Sequence, residues 1–123
     1  MAPKSQRQKS LERDGYRHLE FRPQTDCREP YLKGMGRVRV SDVVYWVRTN
    51  QRPPEALARE WGLPLKAIEE ALRWADDHPQ ILTEEAKREW ADFLRWARRT
   101  GYLKRVQAIR GELPKLPFQA RKR

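Results

Sequence analysis

The apolar positions of this chain alternate first with a period of two and then, past residue 40, with the period of a helix. Leu19 and Phe21 stand between His18, Glu20 and Arg22, the pattern of a short half-buried strand that Pro23 ends. Tyr31-Leu32 and Val38-Arg39-Val40 flank Lys33-Gly34-Met35-Gly36-Arg37, which reads as a β-hairpin whose glycines supply the turn. Arg37 and Arg39 then share one face of its second strand, with Val38 and Val40 on the other. Ser41 is expected as an N-cap with Asp42 in the first turn. Val40, Val43, Val44 and Val47 trace a helical stripe that ends near Asn50.

The next stretch has the spacing of a helix-turn-helix. Pro53-Pro54 restarts the chain, and Glu55 to Trp61 forms the first helix, where the small Ala58 permits close approach. Gly62 follows four positions later, where the helix must stop in a positive-φ conformation. Leu63 plugs the corner and Pro64 opens the second helix, Leu65 to about Asp77, with Ile68, Ala71 and Leu72 inward. Such a unit presents one helix to a partner, most often DNA; packed corners with the same glycine also occur in proteins that bind no nucleic acid.

Pro79 is expected to close that helix and Thr83 to cap a fourth, with Glu84 and Glu85 at its positive end. Ala86, Trp90, Phe93, Leu94 and Ala97 line its inner face, Arg95, Arg98 and Arg99 crowd its last turns, and Gly101 stops it. A short helix follows from Leu103 to Arg110, with Val106 and Ile109 inward. The expected fold is mainly α: a small N-terminal β-hairpin followed by a helix-turn-helix, winged-helix-like bundle of four to five helices. Residues 1–14 read as a flexible basic arm, 15–102 as the domain, and 103–123 as a basic C-terminal helix and extended tail.

Charge sharpens this division. The net charge is +10. Residues 1–15 contribute +2 and residues 104–123 contribute +6, so the 88 residues between are nearly neutral and the basic character sits in the arms. Polyanions or an acidic protein surface are the partners this implies, with mere solubility as the plainer account. The apolar share of 38% allows a modest core but leaves much solvated surface. One cysteine, Cys27, rules out an internal disulfide and suits a reducing, cytoplasmic setting. No apolar run reaches membrane-spanning length.

Catalytic and metal chemistry find no support. His18, His78 and Cys27 lack metal-ligand spacing. Gly34 and Gly36 sit in a hairpin rather than a phosphate cradle, and the paired acids Asp76-Asp77, Glu69-Glu70 and Glu84-Glu85 read as solvated helix faces. No enzyme activity and no cofactor are expected. The five tryptophans exceed what so small a core needs. Trp61 and Trp90 fall on inward stripes, whereas Tyr45, Trp46, Trp74 and Trp96 fall on flanks, where they thicken the core, pack in a homodimer or meet another protein. Leu65, Lys66, Glu69, Glu70 and Arg73 face outward on the second helix, two cations against two anions. Duplex DNA contacts are therefore expected from Lys66 and Arg73 together with Arg37, Arg39, Arg48 and Arg52, aided by Lys4, Arg7, Lys9 and Arg13.

From Cys27 to about Glu89 the chain resembles the domain-of-unknown-function family 433, regarded as bacterial antitoxins. The matching pieces are Pro30-Tyr31-Leu32-Lys33-Gly34, the run Arg37 to Val44, Pro54 to Ala58 with Trp61-Gly62-Leu63, and Ala71 to Ala75 followed by His78-Pro79. Arg28-Glu29 stands where a glycine pair is usual, and the turn around Gly34-Met35-Gly36 is one residue longer. The resemblance implies a dimeric helix-turn-helix protein that partners a PIN-like ribonuclease toxin, whose active site is a cluster of metal-binding carboxylates. Leu113, Leu116 and Phe118 are then apolar anchors on the toxin, and Arg121, Lys122 and Arg123 meet its acidic cleft. Two other readings remain open: a stand-alone DNA-binding transcriptional regulator, and an RNA- or ribosome-associated basic protein.

Overall fold

In the computed structural model, which describes residues 6–110, the protein is mainly helical with a small two-stranded antiparallel sheet. The elements run α1 (Gln6–Arg13), β1 (Leu19–Glu20), β2 (Tyr31–Leu32), α2 (Val40–Val44, prolonged by a π-helical turn over Tyr45–Thr49), α3 (Pro54–Trp61), α4 (Leu65–Asp77), α5 (Pro79–Thr100) and α6 (Tyr102–Arg110). Two compact units divide between Leu82 and Thr83, within α5. The expected partner anchors Leu113, Leu116, Phe118, Arg121, Lys122 and Arg123 lie outside the described residues.

The core of the first unit gathers around α4. Ala67, Ile68, Ala71, Trp74 and Ala75 are buried along it, packed with Val40, Val43 and Val44 of α2 and Leu57 and Ala58 of α3. Leu19 and Leu32, paired across the sheet, are both 0% exposed and close another side of the core. Burying each such Leu or Ile side chain contributes about 1.5–3 kcal/mol. Trp74, expected on a flank, is only 2% exposed. Its cover comes from the segment read as a flexible arm: residues 6–13 form α1, whose Leu11 joins Tyr16 and Trp74 in the core. The Gln8 side chain accepts the Phe21 N–H at 2.8 Å and ties α1 to the end of β1.

The β element differs in pairing from the expected hairpin. Tyr31–Leu32 pairs with Leu19–Glu20, in the register Leu19 with Leu32 and Glu20 with Tyr31. Residues 38–40 meet β2 only through the Tyr31–Arg39 bridge and single bonds such as Leu32 N–H to the Val38 carbonyl at 2.9 Å. Arg22, just past β1, fastens the turn that follows β2. Its guanidinium donates to the Gly36 carbonyl and lies over the Tyr31 ring, 4.3 Å from the centroid.

Helix boundaries also shift where a local signal meets a stronger one. Ser41 is not the N-cap of α2. Arg39 takes that place, with its own N–H bonded to Asp42 Oδ2 at 2.9 Å, while the Ser41 N–H donates to Glu29 Oε1 at 2.8 Å. Thr83 lies inside α5, which begins four residues earlier. Pro79, lacking an N–H, fits a first helical turn, and His78 makes the joint with α4 by facing the Trp74 carbonyl through Nδ1 at 3.0 Å. Glu85, read as solvated, is 1% exposed and sits 3.0 Å from Arg88.

The second unit consists of α5 from Thr83 onward and α6, joined at Gly101 (φ 77°). Ala97 and Leu103 are buried, and the Tyr102 ring meets Phe93 edge-on at 5.7 Å. Among the described residues no helix is long and apolar enough to cross a membrane.

Candidate nucleic-acid interface

The bihelical corner forms as its residue types require. Pro53 is the N-cap and Pro54 opens α3, which ends at Gly62 in the left-handed conformation (φ 67°, ψ 34°). The Gly62 N–H bonds to the Arg59 carbonyl at 3.2 Å and the Leu63 N–H to the Ala58 carbonyl at 2.9 Å, so the carbonyls at the helix end are satisfied before the chain turns. Nothing lies within 4 Å of where a Cβ on Gly62 would stand. Glycine is required there by backbone conformation, not by crowding. Leu63 is half-buried in the corner, and α4 starts at Leu65 after Pro64.

The six arginine and lysine residues expected to contact DNA fare differently. Arg48 makes a bidentate pair with Asp76 of α4, at 2.8 and 3.0 Å, and Arg52 pairs with Glu60 of α3. Arg39 is half-buried, 3.8 Å from the buried Glu29 and 3.5 Å from Cys27 Sγ. Arg73 lies over the Tyr16 ring, 4.4 Å from its centroid, and donates to the Gly15 carbonyl at 3.1 Å. These four are engaged by the fold itself. Lys66 and Arg37 are exposed, and among the described residues neither has a hydrogen-bond or ion-pair partner. Lys66, at the start of α4, lines a shallow depression with Gly15, Glu69, Glu70 and Arg73.

The acids of α4 are largely committed too. Glu70 Oε2 accepts the His18 N–H at 2.7 Å and its Oε1 lies 3.1 Å from His18 Nδ1. Asp76 holds Arg48, and Asp77 accepts the Tyr16 hydroxyl at 2.5 Å. Burial raises the Tyr16 phenol to about 12, reinforced by its hydrogen bond to Asp77 and that charge, against the opposing pull of Arg73. Burial likewise pushes the Cys27 thiol up, against the lowering influence of Arg39. The solvent face of α4 thus offers Lys66 and Glu69 as its charges without a side-chain partner among the described residues.

Glu29 is the residue that sequence reasoning missed. It is 2% exposed, accepts the Ser41 N–H and faces Arg39, so it anchors the start of α2. A buried acid beside an arginine leaves no periodic trace in a loop, and the only available signal was Asp42 and Arg39 close by. Of the flanking aromatics, Tyr45 (47%), Trp46 (38%) and Trp96 (42%) remain exposed. Tyr45 and Trp46 lie edge-to-face at 5.4 Å on the π-helical turn. Among the described residues no cluster of three or more His, Cys, Asp or Glu is placed to hold a metal ion. Comparison of the chain with protein-family models, curated proteins and solved structures gives no match.

Proposed function

We propose that the chain is an antitoxin-type regulator of a type II toxin–antitoxin pair. A dimer binds promoter DNA through the α3–α4 corner, and residues 111–123 neutralise a PIN-like ribonuclease toxin. The observation that carries the DNA half is the corner itself. The turn at Gly62 starts α4 with Ala67 and Ile68 buried and Lys66 exposed, free to contact a phosphate or a base edge. The Gly34–Gly36 turn, pinned by Arg22 and carrying the exposed Arg37, serves as the wing. Lys9 and Arg13 on α1 add further exposed cations. Tyr45 and Trp46 supply the apolar area for a two-fold contact between copies. The toxin half rests on the resemblance stated above and on the charge of the C-terminal stretch.

Two measurements test it. The full chain is co-expressed with the product of the neighbouring reading frame, and the two are expected to copurify; separation of the two proteins refutes the antitoxin role. Binding to the duplex upstream of the gene is measured against a random duplex and a single-stranded RNA. Exchange of Lys66 and Arg37 for Glu is expected to weaken the cognate complex about tenfold or more. Unchanged binding removes the corner from DNA recognition. Tighter binding to the RNA favours the second reading, a basic RNA- or ribosome-associated protein.

A further inference from the structure

Between α1 and the joint of α4 with α5, the first unit keeps an open cavity of about 230 Å³. Its wall is mostly apolar: Leu11 of α1, Phe21 just past β1, Trp74 near the end of α4 and Ile81 of α5. Leu11 and Trp74 are buried, while Phe21 and Ile81 are half-buried. The Trp74 ring is held in place by its stack on His78, with centroids 4.3 Å apart. An apolar cavity of about 150 Å³ accepts benzene, so this space has the size for one ring with a short substituent.

Besides His78, the charged or titratable side chains at its border that bear on a ligand are Arg7, Arg28 and Asp14. The Arg7 guanidinium lies over the Phe21 ring, 4.7 Å from its centroid, and among the described residues it has no hydrogen-bond or ion-pair partner. Gln8, the next residue, steadies this placement by accepting the Phe21 N–H at 2.8 Å. A planar fork of donors is thus held at the edge of apolar space. Asp14, whose N–H still bonds to the Ser10 carbonyl at 3.0 Å, stands two helical turns further on, about 10 Å from Arg7 along the axis. His78 directs Nδ1 to the Trp74 carbonyl at 3.0 Å and brings no negative charge. Tyr16, the remaining titratable group of the lining, keeps its proton on Asp77.

We propose that this cavity binds a small carboxylic acid with a single-ring apolar body, its carboxylate on Arg7 and its ring against Leu11, Phe21, Trp74 and Ile81. Volume selects the body, because the space holds one ring and not a polymer segment. The sign of the ligand follows from where the charges stand. Two guanidinium groups border the cavity against one carboxylate, and that carboxylate lies two turns away from Arg7. A ligand carboxylate can take a bidentate pair from the Arg7 fork, which an ammonium or a neutral ligand cannot. The cavity adjoins the last turns of α4, whereas Lys66 lies at its start, about 12 Å along the helix from Trp74. Occupancy of the cavity therefore does not depend on DNA binding at the α3–α4 corner.

Phenylacetate titrated into the full chain, followed by two-dimensional amide NMR, tests the site. Saturable shifts at Leu11, Phe21 and Ile81 are expected, with a Kd of about 1 mM or below. Phenethylamine has the same body with the opposite charge, and acetate has the charge without the body; each should bind about tenfold more weakly or not at all. Arg7→Gln should lower phenylacetate affinity about tenfold, and Ile81→Trp, which fills the cavity, should abolish binding. Asp14→Asn should leave affinity equal or higher. Arg7 is exposed, so its exchange spares the fold; where Ile81→Trp disturbs the spectrum, Ser10→Leu narrows the cavity from α1 instead. Absence of saturable shifts, shifts confined to residues away from the cavity, or affinity unaltered by both the Arg7 and the cavity-filling changes overturns the proposal. Phenethylamine binding as tightly as phenylacetate, or weaker phenylacetate binding in Asp14→Asn, overturns the assignment of the ligand as a carboxylate.

Discussion

The guanidinium of Arg73 lies 4.4 Å from the centre of the Tyr16 ring while the Tyr16 hydroxyl donates to Asp77 four residues further along the same helix. One aromatic side chain from the loop after α1 is thus clamped between a cation and an anion of α4. The arrangement makes Arg73, an arginine also expected at DNA, a fastener of the N-terminal segment.

Arg73→Ala is therefore expected to lower stability by about 1 kcal/mol, since it removes a cation–π contact and a hydrogen bond to the Gly15 carbonyl. Urea denaturation checks it. Preserved stability together with lost DNA affinity would return Arg73 to a recognition role.

The raised Tyr16 phenol predicts a loss of stability in alkali. Its folded value of about 12 stands above the ordinary phenol value of 10.0, so the folded chain holds this proton more tightly than the unfolded chain. That contribution is complete below pH 10 and declines as pH rises from 10 towards 12. Denaturation midpoints at a series of alkaline pH values should fall in the wild type. Tyr16→Phe should start from a lower stability and fall less steeply.

At Gly62 the demand is for a left-handed backbone with open space around it. Gly62→Ala should cost about 1 kcal/mol, and Gly62→Asn less, because Asn tolerates that conformation. Thermal melts distinguish the two. An equal loss for both would point to a steric rather than a conformational cause.

Removing the buried Glu29 carboxylate leaves the Ser41 N–H and Arg39 without its oxygens. Glu29→Ala is expected to destabilise by about 3 kcal/mol, and Glu29→Gln by less because an amide oxygen still accepts. Equilibrium unfolding measures both.

Ending the chain after Gly111 removes Leu113, Leu116, Phe118 and the Arg121-Lys122-Arg123 cluster. Under the antitoxin proposal, toxin neutralisation in a growth assay should disappear while circular dichroism retains the helical signal. Continued protection of growth would place the neutralising contact elsewhere.

The parts of the fold that could be read from residues alone are those where local chemistry has little choice. Pro54 at a helix start, Gly62 at a helix end and the Ile68–Ala71 stripe place the corner within a residue or two, because proline and glycine restrict the backbone regardless of what surrounds them. Residues 6–13 were illegible because a polar helix with one buried leucine has no stripe; its partners, Trp74 and Tyr16, come from distant sequence. The candidate interface was harder still. Arg48 and Asp76 lie 28 positions apart, and no spacing rule links them.

Taken alone, the sequence determined the helical period, the Gly62 corner and the concentration of positive charge towards the C-terminus, all properties of near neighbours. Tertiary packing decided which charges remain available. Carboxylates brought in from other elements engage Arg39, Arg48 and Arg52, and an aromatic ring engages Arg73, while Lys66 and Arg37 stay exposed. The physical reason is range: backbone preference acts over a few residues, whereas the pairing of charges depends on distances that exist only once the helices have packed.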